Sequence, residues 1–313
     1  MPASEVIVVV DGDVDGTVPA IRDAFPDVRV LVGDGSGAAA ARNRGVASSR
    51  GDWVTFLDDD DLWHRDKLAR TADYIADHPS CAALRTWTWL FAESASGPRS
   101  MFGLRRDFVA SGLDECHAQG ETTASANGFE YLAIEGHSLE RLLERNAGII
   151  GTSAVRSDVL GDVRPVPNEL RFGEDWYFHV SVAAVTEWHT IPERLAFYRM
   201  HSTQATVTTY TAAEILRLIH RLWTDFGAPA GLELADFGPA YSSLTREMAW
   251  ITLRQRDVRA LLAMASEAAA VLPRARDRWS AIVPAPVVHR WARTRGRLRR
   301  RDHHGRSTRV GRD

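Results

Sequence analysis

The sequence predicts an α/β protein: a mostly parallel central sheet flanked by helices over residues 1–205, followed by a C-terminal helical appendage. Three observations carry this. Short apolar β-branched runs alternate with helical segments between residues 5 and 90, the pattern of a sheet with crossover helices on its faces. Two of those runs end in acids, at Asp11 and at Asp58-Asp59-Asp60-Asp61, and ligands of such sheets bind beyond the carboxyl ends of the strands. After about residue 206 the pattern becomes helical throughout.

The elements follow in order. Residues 5–10 form a continuous apolar run, expected to be a strand buried on both faces. A short helix over 18–25 leads to a second strand, 28–32, which Gly33-Asp34-Gly35-Ser36-Gly37 breaks. An alanine-rich helix over 38–48 turns at Gly51-Asp52 into the strand 53–57. The helix 66–78 ends at Pro79, and the strand 81–90 follows. Between 93 and 137 the periodicity dissolves; a loop of that length is usually functional or disordered. Order resumes with a helix over 139–145, the stretch 148–155, a helix over 174–185 and a strand over 194–200. Helices over 212–226, 241–254 and 258–271 form the appendage, 206–275. Pro273, Pro284 and Pro286 mark the exit into a basic, disordered tail, 276–313.

A hydrophobic share of 45% and a charged share of 25% are ordinary for a soluble globular protein. No apolar run approaches the roughly 18 residues of a bilayer span. The two cysteines, Cys81 and Cys116, have no metal-ligand spacing and fit a reducing compartment. The expected location is therefore cytoplasmic, peripheral at the inner membrane face. The membrane expectation comes from the tail. From His289 to Asp313 there are ten arginines against two aspartates, while the whole chain carries a net charge of −3. A basic tail on an acidic body suits an anionic partner, and an anionic membrane surface is expected rather than nucleic acid.

The acidic tetrad is the sharpest motif. Four adjacent carboxylates repel one another and gain nothing for a fold, so a strand ending in them is expected to face a cation. Hard oxygens on one short segment suit Mg²⁺ or Mn²⁺, which take one or two carboxylates and complete their shells with phosphate and water. The competing explanation is a solvated acidic turn that caps the next helix. Asp11-Gly12-Asp13-Val14-Asp15-Gly16-Thr17 begins like a calcium loop, but the twelfth loop position is Arg22 and a strand precedes it, so calcium is rejected. A helix beginning at Gly37 points free amide groups at the strand ends, which suits a diphosphate. Gly173-Glu174-Asp175-Trp176-Tyr177 opens a helix. Acids there are favoured by the dipole alone, and a general base is the functional alternative. Arg199 and His201 lie two apart on one strand face, a plausible diphosphate clamp with a metal ligand.

Taken together, these motifs resemble the family 2 glycosyltransferases of GT-A fold. That family shows a strand end before Gly-Ser-x-Asp-Gly-Thr, then Ala-Arg-Asn-x-Gly, a Phe-Leu-Asp-x-Asp-Asp strand end, and a Glu-Asp helix start. Here the matching stretches are 9–17, 41–45, 56–63 and 173–177, in that order. The resemblance implies a nucleotide site of Asp11, Gly37, Arg42, Asp58 and Asp59, with Asp11 on the base and Asp58 on the ribose or metal. It implies Asp60 and His201 as metal ligands, Arg199 on the diphosphate, and Asp175 as catalytic base. Glu174 and Trp176 would shape the acceptor site.

The expected activity is metal-assisted, inverting transfer of a sugar from a nucleotide-diphosphate donor to the hydroxyl of a sugar, lipid-linked or small-molecule acceptor. Two rivals stand beside it. A nucleotidyltransferase would want a glycine-rich first loop with a basic residue, which the chain does not offer. A degenerate transferase acting as a binding module would bind nucleotide sugar without turning it over. The family also opens with a strand and helix, roughly 30 residues of ordinary element lengths, ahead of the strand that here begins at residue 5. The expectation is that the coding sequence continues upstream of Met1, and that the chain as written is poorly soluble or inactive.

Overall fold

The computed structural model describes residues 2–91, 109–110, 134–199, 212–254 and 258–282. The chain divides into two compact units, Met1–Thr209 with Asp225–Pro229, and Tyr210–Thr224 with Ala230–Asp313. The insert beyond residue 91, His201 and the arginine tail lie largely or wholly outside the described residues.

The first unit opens with a β-α-β crossover. Strands β1 (Ile7–Val10) and β2 (Arg29–Val32) pair in parallel, Ile7 opposite Arg29, and helix α1 (Thr17–Ala24) joins them. All four β1 residues are half-buried rather than buried on both faces, because among the described residues β1 pairs with β2 alone. Helix α2 (Ala38–Ser48) follows, then β3 (Trp53–Thr55), β4 (Leu62–Trp63), α3 (Lys67–Asp77), β5 (Ala83–Phe91) and β6 (Val109–Ala110). Next come α4 (Leu139–Glu144), β7 (Ser153–Arg156), α5 (Ser157–Leu160), α6 (Glu174–Ala183) and β8 (His189–Arg199).

The larger sheet has the order β3-β7-β5-β8-β4, with β6 also on β5. It is mixed rather than mostly parallel. β7 lies antiparallel to both β3 and β5, and β4 lies antiparallel to β8, while β5 runs parallel to β8 and β6. The register of β5 against β8 slips on either side of Trp87, where Ile191 and Arg194 pair with successive β5 residues. Pro192 lies in the slip; a proline has no N–H for the ladder and is accommodated at such bulges. Beyond it, Arg194 stacks over the Trp89 ring at 4.1 Å. Cys81, Leu84, Ala154, Ile191 and Leu195 form a core cluster, with Trp53, Tyr74 and Ile75 against it.

Helix α6 is the buried axis of this unit: every residue from Trp176 to Ala183 is buried. Tyr177 donates to Asp225 at 2.6 Å and stacks edge-on with Phe226, 5.1 Å between centroids. The second unit is helical, built from α7 (Ala212–Leu222), α8 (Leu234–Arg254), α9 (Val258–Val271) and α10 (Ala275–Ile282). Residues 276–282 are thus helix where the sequence suggested a tail. Helix α8 begins seven residues before the expected position of 241 and carries Pro239 inside it. Close approach of α8 and α10 explains Gly238: a Cβ there would fall 2.4 Å from a carboxylate oxygen of Asp277. Among the described residues no helix is long and apolar enough to cross a membrane.

Candidate active site

Three segments meet at the site: the loop after β2, the acidic turn after β3, and the start of α6. Each is held by side-chain contacts to segments distant in sequence.

The loop after β2 is stapled by Asp11. Its carboxylate accepts the N–H of Gly35 at 3.1 Å and of Gly37 at 2.6 Å. The Asp11 oxygens expected to read a nucleotide base are thus engaged with backbone. The Gly37 amide, expected to face a diphosphate, is spent on Asp11. Gly37 has φ +97°, and a Cβ on it would lie 2.0 Å from Nη1 of Arg171. That guanidinium donates to the Ser36 carbonyl at 2.6 Å. Arg171 was not expected at the site. Its signal in the sequence is faint, a base two residues ahead of Gly173.

Asn43 ties α2 to the stretch leading to α6. Its side chain donates to the Val166 carbonyl at 2.7 Å and accepts the Val166 N–H at 3.3 Å. The acidic turn is braced in turn by Thr55 on the Ser153 carbonyl, 2.7 Å, and by Trp63 Nε1 on the Gly151 carbonyl, 2.8 Å. Phe56 packs edge-on against Phe178 of α6, 5.1 Å between centroids.

Two members of the tetrad serve the fold as well, contrary to the expectation from the sequence. Asp58 takes Nη2 of Arg42 at 2.8 Å from both of its oxygens. Asp61 is 5% exposed, and its Oδ1 accepts the Arg199 N–H at 3.0 Å. Burial comes first in pushing the Asp61 carboxyl up to about 8; the Arg199 amide opposes this, and the Asp60, Asp58 and Asp175 carboxylates add to it. Arg199 reaches back with Nε to the Asp60 carbonyl at 2.7 Å, which seats it against the tetrad. Asp59 is exposed and Asp60 half-buried.

Asp175 stands at the start of α6, behind Gly173, whose φ of +70° makes the left-handed entry that favours glycine. Arg42 Nη1 lies 3.1 Å from Asp175 Oδ1 and 3.6 Å from Glu174 Oε1. Burial raises the Asp175 carboxyl to about 7; Arg42 opposes it, Asp58 and Glu174 reinforce it, and the Ile150 amide pulls it down. Burial works against the Arg42 charge, but Asp175 and then Asp58 overcome it, so this guanidinium is held charged. Trp176 departs from expectation. It is 2% exposed and its Nε1 donates to the Leu142 carbonyl, so it is a core residue rather than a wall of the acceptor site. Helical geometry turns it inward although its neighbours Glu174 and Asp175 face Arg42.

Among the described residues no three His, Cys, Asp or Glu side chains stand close enough to hold a metal by themselves. A cation bridging a diphosphate asks for less, one or two carboxylates with phosphate and water. The Asp60 carboxylate supplies hard oxygens of that kind. So does Asp61 Oδ2, which is buried without a hydrogen-bond partner. The donor set present fits such an ion.

The acidic strand end and the Ala41-Arg42-Asn43 stretch both lie in a segment that matches one family model. Residues 2–110 match the family described as Glycosyl transferase family 2. It is this segment, and not the whole chain, that carries the likeness to glycosyltransferase family 2. A Bacillus subtilis (strain 168) glycosyltransferase assigned to teichuronic acid biosynthesis, TuaG, is 35% identical over 99 residues, 30% of this chain and 39% of that protein. The Haloferax volcanii glycosyltransferase AglE is 28% identical over 176 residues, 55% of this chain and 48% of that protein. The aligned stretches thus span less than half of these curated relatives. The crystal structure of S. aureus TarS 1–349 in complex with UDP-GlcNAc superposes with a TM-score of 0.54 at 18% identity, over 85% of this chain and 72% of that one. That likeness shows the GT-A fold.

Proposed function

We propose that this chain is an inverting glycosyltransferase that moves a sugar from a nucleotide-diphosphate donor to an acceptor hydroxyl, with Asp175 as the general base. One observation carries the reading. A half-buried carboxylate, its carboxyl raised to about 7, stands one guanidinium away from the acidic strand end. A base suited to neutral pH, held beside a donor site, is what this chemistry needs.

The reaction is a single displacement. The acceptor hydroxyl gives its proton to an Asp175 oxygen, and its oxygen forms the new bond to the anomeric carbon. The bond from that carbon to the diphosphate oxygen breaks, and the electron pair leaves with the nucleoside diphosphate. Arg42 keeps Asp175 turned toward the donor side. Arg199 and Arg171 lie at two edges of the site as positive charges for the diphosphate. Asp60, with Asp61, would hold Mg²⁺ or Mn²⁺, which when bound supplies Lewis-acid stabilisation of the leaving diphosphate. The arginine tail from His289 would add weak attachment to anionic membranes, each base contributing up to about 1 kcal/mol; liposome flotation insensitive to anionic lipid and salt would exclude it.

The test is direct. The chain is incubated with UDP- and GDP-sugars and Mn²⁺, and nucleoside diphosphate release is followed with and without candidate acceptors. The S. aureus relative was crystallised with UDP-GlcNAc, which makes that the first donor to try. Turnover with at least one donor, lost in Asp175→Asn, supports the reading. Donor binding without any release in the wild type would instead make the chain a binding module.

A further inference from the structure

We propose that Arg42 is a positioning residue that couples the donor side of the site to the acceptor side: one guanidinium holds both Asp58 and Asp175, so a ligand engaging Asp58 is felt at Asp175. The inference rests on the reading of Asp175 as the base. The sequence motif assigned Arg42 to nucleotide contact, and the structure gives it a different set of partners.

The geometry is specific. The Arg42 side chain is 15% exposed. Its Nη2 sits 2.8 Å from each Asp58 oxygen, while Nη1 faces Asp175 at 3.1 Å and Glu174 at 3.6 Å. One cation therefore serves three carboxylates drawn from two separate segments. The sharing is unequal. Nη2 makes hydrogen bonds with Asp58, whereas Nη1 and Asp175 Oδ1 are buried and outside hydrogen-bond geometry. Asp175 is the partner held by charge and not by a directed bond. Whatever takes Asp58 away, such as a ribose hydroxyl, frees the guanidinium to close on Asp175.

The other groups facing Asp175 set what the coupling must overcome. These are the Asp58 and Asp61 carboxylates from the acidic turn, Glu174 on its own helix, and the Ile150 amide. The carboxylates disfavour an ionised Asp175; Arg42 and the amide favour it. Loss of the Arg42 charge and loss of the Asp58 charge must therefore move the Asp175 proton in opposite directions. A residue that served only to fill space would move neither.

The experiment is a carbon NMR titration of the full chain labelled at aspartate carboxyls, with the Asp175 signal assigned from Asp175→Asn. Wild type is compared with Arg42→Gln, Arg42→Lys and Asp58→Asn. The expected result is at least a ten-fold tighter proton in Arg42→Gln, a smaller change in Arg42→Lys, and a looser proton in Asp58→Asn. An unchanged Asp175 midpoint in Arg42→Gln, or a tighter proton in Asp58→Asn, overturns the coupling. If Arg42→Gln fails to fold, the signs in Arg42→Lys and Asp58→Asn decide. Nucleotide-sugar turnover on the same proteins separates the two readings. Expected midpoint shifts with no wild-type turnover sink the transferase reading and leave the coupling. Turnover with unmoved midpoints, and weaker donor binding in Arg42→Gln, makes Arg42 a nucleotide contact and ends the coupling.

Discussion

The Asp61 carboxylate accepts the backbone N–H of Arg199 at 3.0 Å, and Arg199 answers with its Nε on the Asp60 carbonyl at 2.7 Å. The pair locks the acidic turn to the end of β8, beside the ladder that sets Leu62 opposite Phe197. The acids are thereby fixed in direction before any ligand arrives. An amide oxygen accepts an N–H as a carboxylate does, whereas a methyl group cannot. Asp61→Asn should therefore keep the turn in place. Asp61→Ala should cost about 1–3 kcal/mol, the usual penalty for a buried donor left unpaired, and should weaken donor binding. Melting temperatures and calorimetric donor affinities are the readouts. Equal behaviour of the two variants would show that this bond holds nothing.

Asp175 must be ionised to act as a base, and burial above all raises its carboxyl to about 7. Activity should therefore climb with pH through that region, with the acid limb of kcat/KM belonging to the free enzyme. Asp175→Asn should lower kcat on the order of 10²-fold or more, a far larger loss than the change in donor affinity that the shared Arg42 passes back to Asp58. A pH-independent rate between about pH 5.5 and 8.5, or near-normal turnover of the variant, would reduce Asp175 to a helix-capping acid.

Much of this site could be read from local sequence, because strand ends and helix starts announce themselves. The apolar run into Asp58-Asp59-Asp60-Asp61, and Gly173 before Glu174-Asp175, each signal their place within a few residues. The antiparallel strand β7 was harder. Ser153–Arg156 is short and mixed in character, and its sheet neighbours Val54 and Ala83 lie far away in sequence. The link through Arg42 was hidden for the same reason: nothing within a window of ten residues relates positions 42, 58 and 175. Trp176 misled because adjacency suggested a shared role, while successive side chains of a helix point about 100° apart. Asp61 reads in the sequence as one of four acids facing a cation, because the β8 backbone that buries it comes from 138 residues away.

Gly37 combines two demands whose sizes can be separated. Its φ of +97° strains any residue with a Cβ, and that Cβ would meet Nη1 of Arg171 at 2.0 Å. The colliding atom is the far end of a long side chain, which can swing away at little cost. The backbone has no such escape: at φ +97° and ψ 175° it lies in a region open essentially to glycine alone, and holding a Cβ there costs roughly 1–3 kcal/mol. Gly37→Ala should destabilise by about that amount, and adding Arg171→Ala should restore only a small part. Full rescue by the second substitution, measured by chemical denaturation, would put the cost in the clash and not in the backbone.

Lys67, the first residue of α3, buries its ammonium among neutral partners. Its Nζ donates to Thr86 Oγ1 at 3.3 Å and to the Thr152 carbonyl at 3.2 Å, and lies 5.4 Å from the centroid of the Trp63 ring. Burial first, then the Arg85 charge, lowers its pKa from 10.5 to about 7. The sign follows from proton counting. Between about 7 and 10.5 the unfolded chain holds a proton that the fold has released, so stability rises with pH across that window. The contribution is fully present above the unfolded value and is lost as pH falls through about 7. Methionine fills similar volume and does not titrate. Compared at pH 6 and pH 9, the wild type should gain on Lys67→Met at the higher pH, by at most about 1.4 kcal/mol per pH unit above 7. At pH 6, where the wild type must bury a charge, Lys67→Met should be the better placed of the two. Parallel stability curves for the two proteins across this range would mean that the Lys67 ammonium stays charged in the fold, paired in solution by a group from another part of the chain.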